Sequence, residues 1–294
     1  MRSPLLLTVT IVLIFVVNFL ADGLLGKGHR DLGPPVDQPA ARQYERIVST
    51  APSLTETLYA LGLGDRVVGV SRYCDYPSQV VEKPKVGGYH DPNFEAIVGL
   101  RPDLVVLLDG DEQSRSAFDT LGLTTLVVCH KSVDDILDSF ARIGRHGGVE
   151  DRAAKLTAAI EARMERIRQK TLGLPRPRVL FVIERTIGHG QLEDVCVAGS
   201  DDFLDQIVTL AGGRSAYPSA TVRFPVVSTE GLLWMDPQVI LDMTVGLVQG
   251  EQSNAAILAD WQQVDQVEAV RNGRVHALKQ GYAFRPGPRF ILLV

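Results

Sequence analysis

From Arg46 onward, the sequence alternates short runs of β-branched residues with segments whose apolar residues recur at helical spacing. A short apolar run bounded by turn residues is typical of a buried strand, whereas apolar residues three or four positions apart are typical of a helix. Because this alternation requires crossover connections, we predict an α/β fold with mostly parallel sheets. The strand candidates are residues 46–50, 67–70, 104–108, 126–129, 179–183, 239–243 and 275–278.

One long helix is predicted between two such series of strands. Apolar residues recur at three- and four-residue steps across 149–170, which gives one continuous stripe, and a segment rich in Gly and Pro then ends the helix. We therefore predict an N-terminal α/β lobe at 46–148, a connecting helix at 149–172 and a C-terminal α/β lobe at 173–294. A single large sheet with one long peripheral helix is the alternative that this pattern leaves open.

Each predicted lobe contains the same short motif. Residues 93–106 align without a gap on residues 228–241, and in both segments a capping residue stands two positions before a glutamate and a proline seven positions after it. The glutamates are Glu95 and Glu230. Asn and Ser are favourable N-caps, and the exposed amides of a first turn favour a carboxylate. The match favours two related lobes that each present one acidic side chain, although stabilising a helix start would be a sufficient role for either residue.

The first 21 residues have the pattern of an export signal. Arg2 precedes a run without charges from Leu5 to Leu20, whose length lies between a signal-peptide core and the roughly 20 residues of a membrane span. The charge distribution places the N-terminus in the cytoplasm and the rest of the chain outside. We expect residues 1–21 to be a cleaved signal peptide or an uncleaved signal anchor, and residues 22–45 to be a linker.

The net charge and the spacing of the Cys and His residues argue against several functions. Lys and Arg number 30 against 35 Asp and Glu, so the net charge of −5 argues against binding to nucleic acid. The three cysteines, Cys74, Cys129 and Cys196, are too few and too scattered for a disulfide scaffold or a zinc cluster. The six histidines lack the spacing of a helical zinc site, so we expect neither a structural metal nor a resident cofactor.

Several motifs occur in an order that is known from one protein family. They are IVSTAPSLTE at 47–56, LGLGDRVVGV at 61–70, YCDYP at 73–77, VGGYHDPN at 86–93, LRPDLV at 100–105 and PR at 288–289. On these residues, the chain from Arg46 to its end resembles the periplasmic substrate-binding proteins of ABC importers for cobalamin, haem and iron–siderophores. Residues 73–77 make it most similar to the cobalamin-binding branch. The resemblance implies a class III fold with two Rossmann-like lobes joined by one long helix, and a protein that is not an enzyme.

The resemblance also implies a ligand site in the cleft between the lobes. Flat aromatic rings suit a broad, partly apolar macrocycle such as a corrinoid. By motif position the expected contacts are Pro52, Tyr73 and Tyr89 in the first lobe and Phe224 and Tyr282 in the second, with His90 and Arg223 as polar partners. Haem and ferric siderophores are alternative ligands. A less favoured alternative is an exported metal-dependent enzyme that uses His90 and Asp91.

Glu95 and Glu230 correspond to glutamates at the lobe tips that, in the family, pair with arginines of the importer's two membrane subunits. The resemblance therefore implies an ABC importer as the partner. We expect a monomer that works in the periplasm or at the outer face of the cytoplasmic membrane, attached through its N-terminal segment if that segment is not cleaved. Related proteins usually continue through a final helix after the position that corresponds to Val294, so we expect this chain to be either truncated or without that helix. The lipid-attachment cysteine that is common in relatives without an outer membrane is absent after the apolar run, which favours a periplasmic location or a direct membrane anchor.

Overall fold

The computed structural model describes residues 43–187, 192, 194–199, 203–219, 222–243 and 254–294. The apolar run at 5–20 and the linker at 22–42 lie outside these residues. No helix in the described ranges combines the length and the apolar character that crossing a membrane requires. The described residues divide into two compact units, an N-terminal unit of residues up to 175, 206–212 and 280–294, and a C-terminal unit of residues 176–205 and 213–279.

The N-terminal unit contains a four-stranded parallel sheet. Its strands are β1 (Ile47–Ser49), β2 (Val67–Val70), β3 (Leu104–Leu108) and β4 (Thr125–Val128), in the order β2-β1-β3-β4. Its helices are α1 (Pro52–Ala60), α2 (Phe94–Gly99), α3 (Glu112–Thr120), α4 (Val133–Gly147) and α5 (Glu150–Thr171). The strand order is that of half a doubly wound sheet. All four predicted strands in this part of the sequence are confirmed.

The long helix α5 follows α4 after a tight turn. A reciprocal capping box between Ser132 and Asp135 begins α4, and Gly148 in the left-handed conformation ends it. Close packing of the two helices requires glycine at position 144, because a Cβ atom there would lie 2.7 Å from the Cβ of Ala153. The 22-residue α5 confirms the long helix that the apolar stripe predicted.

The C-terminal unit contains a six-stranded sheet. Its strands are β5 (Arg178–Glu184), β6 (Val195–Val197), β7 (Arg214–Ser215), β8 (Val226–Val227), β9 (Val239–Asp242) and β10 (Val275–Ala277). The order is β10-β9-β5-β6-β8, with β7 also paired to β5. The remaining described helices are α6 (Phe203–Leu210), α7 (Thr229–Met235), α8 (Asn254–Trp261) and α9 (Glu268–Arg271). Residues 206–210 of α6 group with the N-terminal unit. The sheet is mixed: β5, β7, β9 and β10 pair in parallel, as expected for mostly parallel sheets, whereas β6 is antiparallel to both β5 and β8.

A buried arginine lies in the core of the C-terminal unit. The Arg185 guanidinium donates to Asp242 and Asp260 at 2.7 Å each, and both carboxylates are buried. The indole of Trp261 also donates to Asp242, at 2.8 Å, and the Arg185 guanidinium lies 5.4 Å from the centroid of its ring. These charges are enclosed by apolar residues, so their mutual hydrogen bonds replace those that water would provide.

The two units share an arrangement in which an arginine at the first strand binds the end of the repeated helix. This arrangement, called the repeated frame below, extends the internal sequence match. Arg46 immediately precedes β1, and its guanidinium donates to the carbonyl oxygen of Leu100, at the end of α2, at 2.7 Å. Arg178 begins β5, and its guanidinium donates to the carbonyl oxygen of Asp236, at the end of α7, at 2.7 Å. Each arginine therefore fastens the first strand of its unit to the end of the repeated helix.

Two further features recur at matched positions. The backbone N–H of Arg46 donates to the Asp103 carboxylate at 2.9 Å, and that of Arg178 donates to Oε1 of Gln238 at 3.0 Å. Arg101 and Asp236, which precede the repeated prolines, have φ angles of 46° and 39°. Because residues other than glycine rarely adopt positive φ, this shared conformation supports a structural repeat.

The last residues of the described chain return to the N-terminal unit. Residues 280–294 form two short 3₁₀ segments, Gly281–Phe284 and Pro288–Leu293, and Phe290 is fully buried. The sequence-based boundary placed these residues with the second lobe. The structure groups them with the N-terminal unit because their side chains form ion pairs with residues of α1 and of the loop after β2.

Candidate functional site

Three of the expected ligand contacts lie close to the carboxyl edge of the parallel sheet. Pro52 follows β1 and occupies the first position of α1, and Tyr73 follows β2. Tyr89 lies further along the connection after β2, and its hydroxyl donates to the carbonyl oxygen of Asp109, directly after β3, at 2.6 Å. This edge is where open α/β sheets bind ligands.

The start of α1 differs from what its local residues favour. The segment Ser53 to Glu56 has the spacing of a capping box, but the N-cap is Ala51 and no side chain caps the helix. The Ser53 hydroxyl instead contacts Nδ1 of His130 at 3.1 Å, and Glu56 accepts two hydrogen bonds from Arg289. Tertiary partners have replaced the local ones, and the Glu56 carboxylate is buried as a consequence.

Tyr73 lies on a loop that is fastened to the next segment of the chain. The Arg72 backbone N–H donates to the carbonyl oxygen of Gly87 at 2.8 Å, and the Arg72 guanidinium forms an ion pair with Asp91. The Tyr73 ring remains 39% exposed. An exposed ring on a fastened loop can cover an apolar ligand with little loss of side-chain freedom.

His90 follows Tyr89 and packs against it. The two rings meet edge to face, with centroids 4.4 Å apart. Burial lowers the pKa of His90 below its usual value, although the carboxylates of Asp111 and Asp91 act in the opposite direction. The imidazole is therefore neutral at pH 7 and offers a hydrogen-bond donor and an acceptor.

Tyr282 lies in the N-terminal unit, not in the second lobe as expected. The Arg289 guanidinium lies 3.6 Å from the centroid of the Tyr76 ring and 5.5 Å from that of Tyr282. Arg289 also donates to both oxygens of Glu56, at 2.6 and 2.8 Å. Arg289 thus connects residues 280–294, the loop after β2 that carries Tyr76, and α1.

Arg285 strengthens the same connection. Its guanidinium forms a two-pronged ion pair with Asp75, in which Nη2 donates to Oδ2 at 2.7 Å, and it approaches Glu56 to 3.5 Å. The hydrogen bond from Arg285 lowers the pKa of the Asp75 carboxyl, so the pair stays charged in mildly acidic solution. Arg285 and Asp75 lie 210 positions apart in the chain, so no local sequence pattern indicates that they form a pair.

The remaining expected contacts, Arg223 and Phe224, belong to the C-terminal unit. They lie just before β8, and the Arg223 guanidinium is 5.3 Å from the centroid of the Phe224 ring. The carbonyl oxygen of Phe224 lies 3.9 Å from the Cys196 sulfur on β6. Both side chains are half-buried.

The two expected docking glutamates have closely similar surroundings. Glu95 and Glu230 are exposed, and each is the second residue of its helix. Asn93 caps α2 by accepting from the N–H of Ala96 at 3.0 Å, and Ser228 caps α7 by accepting from the N–H of Gly231 at 3.2 Å. Hydrogen bonds from its own backbone and from Ser228 lower the pKa of Glu230.

The thiols and acidic side chains form no metal site among the residues that the structure describes. Cys74 and Cys196 are buried and Cys129 is half-buried, and all three are free thiols. Burial raises the pKa of each thiol, to about 12 for Cys129 and about 11 for Cys196. The three thiols are therefore protonated and unreactive at neutral pH.

Two α/β units with a repeated frame, aromatic side chains near a sheet edge and matched exposed glutamates define a solute-binding protein. The comparison with protein families agrees with this class. The sequence model of the periplasmic binding protein family matches residues 47–282, and the chain belongs to that family.

Individual relatives extend the assignment. The chain is 28% identical over 247 residues to a vitamin B12-binding protein of Vibrio cholerae, covering 83% of this chain and 84% of that protein. It is 28% identical over 261 residues to YvrC, an ABC transporter substrate-binding lipoprotein of Bacillus subtilis, covering 87% and 79% of the two chains. A periplasmic haem-binding protein from Roseiflexus sp. RS-1 shares the fold, with a TM-score of 0.73, 26% identity and coverage of 85% and 94%. These names confirm the expected family.

Proposed function

We propose that this protein captures cobalamin or a similar metal chelate outside the cytoplasm and delivers it to an ABC importer, without acting as an enzyme. The observation that carries the delivery role is the pair of exposed glutamates, Glu95 and Glu230, each the second residue of a helix that begins with a side-chain N-cap and leads into β3 or β9. An importer with two equivalent membrane subunits needs two equivalent contacts. The similarity to substrate-binding proteins of ABC transporters supports this partner.

The aromatic residues of the N-terminal unit support a chelate as the ligand. Tyr73 is exposed beside the sheet edge, and Tyr89 is held there by its bond to Asp109. Rings of this kind suit the face of a corrinoid, and the similarity to a vitamin B12-binding protein favours that chelate. Phe224 and Arg223 are proposed as the contacts that the C-terminal unit contributes.

Haem is the second candidate ligand, and one observation favours it. The neutral imidazole of His90 could ligate a haem iron, since burial disfavours its protonated form. The similarity in fold to a haem-binding protein agrees with this alternative.

Titration of the full chain with cyanocobalamin, haemin and a ferric hydroxamate tests the ligand. We expect one-to-one binding of cyanocobalamin that weakens about tenfold or more in Tyr73→Ala, because a ring that covers a ligand is a typical hot spot. The exposed Val81→Ala, on the same connection after β2, is the control. Binding of haemin alone, weakened by His90→Ala, would replace cobalamin with haem.

Stimulation of the importer's ATPase activity in proteoliposomes tests delivery. The double variant Glu95→Ala/Glu230→Ala should keep its ligand affinity but lose most of the stimulation, since charges at an interface rim guide docking. The matched control is Glu112→Ala/Glu150→Ala, which removes two exposed first-turn glutamates from α3 and α5. Full stimulation by the first double variant would overturn the docking role.

A further inference from the structure

Glu184 is a half-buried carboxylate at the carboxyl end of β5 to which no function has been assigned. Among the residues that the structure describes, its oxygen atoms have no hydrogen-bond donor and no cation as a partner. Burial raises the pKa of its carboxyl to about 7. No buried side-chain oxygen of the described residues lacks a hydrogen-bond partner, so the Glu184 carboxyl still meets water, and a molecule that covers it has to supply a donor.

The repeated frame places Glu184 at a position equivalent to an expected ligand contact. Pro52 is the sixth residue after Arg46, and Glu184 is the sixth residue after Arg178. The two arginines hold equivalent places. Both donate to the end of the repeated helix, and the residue after each pairs with the first residue of the next repeated strand, Ile47 with Leu104 in β3 and Val179 with Val239 in β9. Glu184 therefore holds, in the C-terminal unit, the place that Pro52 holds in the N-terminal unit.

The backbone around Glu184 is irregular in a way that redirects its side chain. In the β5–β6 ladder Val182 pairs with Val197, but Glu184 pairs with Cys196, so one extra residue of β5 forms a bulge. Bulges of this kind occur next to binding sites, where they change the direction of a side chain. Directly paired residues point to the same face, which puts Glu184 beside Cys196 and close to the Phe224 carbonyl that Cys196 contacts.

Two described groups beside Glu184 do not compete with it for protons near neutrality. Arg185 is bound to Asp242 and Asp260 in the core, and Cys196 is protonated because its pKa is about 11. The Arg223 guanidinium lies against the Phe224 ring. Among these described neighbours, Glu184 is the group whose pKa lies close to neutrality.

We propose that Glu184 contacts the bound chelate and accepts hydrogen bonds from amide N–H groups at its edge, thereby favouring an amide-edged corrinoid over a chelate edged with carboxylates. This inference rests on the proposed function. An ionised carboxyl is purely an acceptor and repels the propionate groups of haem, whereas the side-chain amides of a corrinoid supply N–H donors. Glu184 would then act as a specificity-determining residue.

The test compares the full chain with Glu184→Gln, a variant that keeps shape but removes the charge. At pH 8 we expect cyanocobalamin to bind about fivefold more weakly to Glu184→Gln and haemin to bind about fivefold more tightly, since a charge-assisted hydrogen bond is roughly twice as strong as a neutral one. Glu161→Gln, on the exposed side of α5, removes one charge elsewhere and should change neither affinity.

Proton linkage gives a second readout. An amide donor prefers the ionised carboxyl, so cyanocobalamin should bind the wild-type chain about fivefold more tightly at pH 8.5 than at pH 5.5, with a midpoint near 7. This dependence should vanish in Glu184→Gln and persist in Glu161→Gln. Circular dichroism checks that the variants fold.

The outcomes separate the inference from the proposed function. Binding of cyanocobalamin that is indifferent to Glu184→Gln at every pH would overturn the inference and leave the carrier function intact. Binding of haemin but not of cyanocobalamin by the wild-type chain would overturn the selectivity assigned to Glu184. Binding of none of the three chelates, including the ferric hydroxamate, would overturn both proposals.

Discussion

The two units use arginine–carboxylate clusters in different ways, although they are built on the same strand–helix frame. In the C-terminal unit the Arg185 side chain is 0% exposed and its partners, Asp242 and Asp260, are buried with it. In the N-terminal unit Arg289 is 22% exposed, and its partner Glu56 lies far away in the sequence. The Arg185 cluster lies in a hydrophobic core, whereas the Arg289 cluster binds residues 280–294 to α1. The difference shows that a shared frame leaves the packing around it free to diverge.

The largest predicted effect comes from removing the buried arginine. Arg185→Met leaves two buried carboxylates without their cation, so we expect it to lower the free energy of unfolding of the C-terminal unit by about 3–5 kcal/mol. The matched change Arg289→Met should lower that of the N-terminal unit by only about 1–2 kcal/mol, since water and Arg285 still reach Glu56. Denaturant unfolding measures the first loss through tryptophan fluorescence, because both tryptophans lie in the C-terminal unit.

Hydrogen exchange on peptides of the N-terminal unit measures the second loss. Asp260→Asn, which keeps the Arg185–Asp242 pair, provides a milder variant if Arg185→Met does not fold. A larger loss for Arg289→Met than for Arg185→Met would contradict the contrast between core and fastening clusters.

Acid should affect the two units in opposite directions. His130 is buried between two serine hydroxyls, and burial lowers its pKa to about 3. The unfolded chain binds a proton near pH 6.5 that the folded N-terminal unit cannot bind, so stability is lost as pH falls from about 6.5 towards 3. Between pH 7 and pH 5 the loss should reach about 2 kcal/mol.

The effect of Glu184 on the pH dependence of stability has the opposite sign. Because burial raises the pKa of its carboxyl to about 7, the folded C-terminal unit binds a proton that the unfolded chain binds only near pH 4.5. Its contribution to stability is present below pH 4.5 and is lost as pH rises through about 7. Hydrogen exchange at several pH values should therefore show opposite slopes. His130→Gln should remove the N-terminal slope, whereas the exposed His276→Gln should not; equal slopes in both units would refute this difference.

The smallest predicted effect tests the equivalence of the repeated helices. Asn93→Ala and Ser228→Ala should each lower the free energy of unfolding by about 1 kcal/mol, because each removes the side-chain oxygen that caps the helix start. The variants Asn93→Asp and Ser228→Asp keep an oxygen and should retain the stability. Thermal unfolding of the four proteins is sufficient, and strongly unequal alanine losses would weaken the structural repeat.

Sequence patterns predicted the frame of both units well. Strands β3 and β9 and the caps of α2 and α7 follow from local apolar runs and local hydrogen bonds, so a pattern of nearby residues is enough to find them. Strands β6 and β8 were not predicted, and β8 contains only two residues, too few for a recognisable period.

The errors at the candidate site have a different origin. Glu56 has the spacing of a capping residue, but a partner 233 positions away binds it instead. The motif position of Tyr282 indicates the second lobe, whereas the Arg289 guanidinium lies against the rings of both Tyr282 and Tyr76 in the N-terminal unit. Long-range ion pairs carry no signal in a local window, so these contacts could only be seen in three dimensions.

The return of residues 280–294 makes the C-terminal unit an insertion within the N-terminal one. A chain that leaves the ribosome or the export channel from its N-terminus would release all strands of the first sheet long before the arginines that bind Asp75 and Glu56. Until then the Glu56 carboxylate lacks its two arginine partners, and the packing of the first unit is incomplete. In maturation, the unit that is synthesised first would be the one completed last.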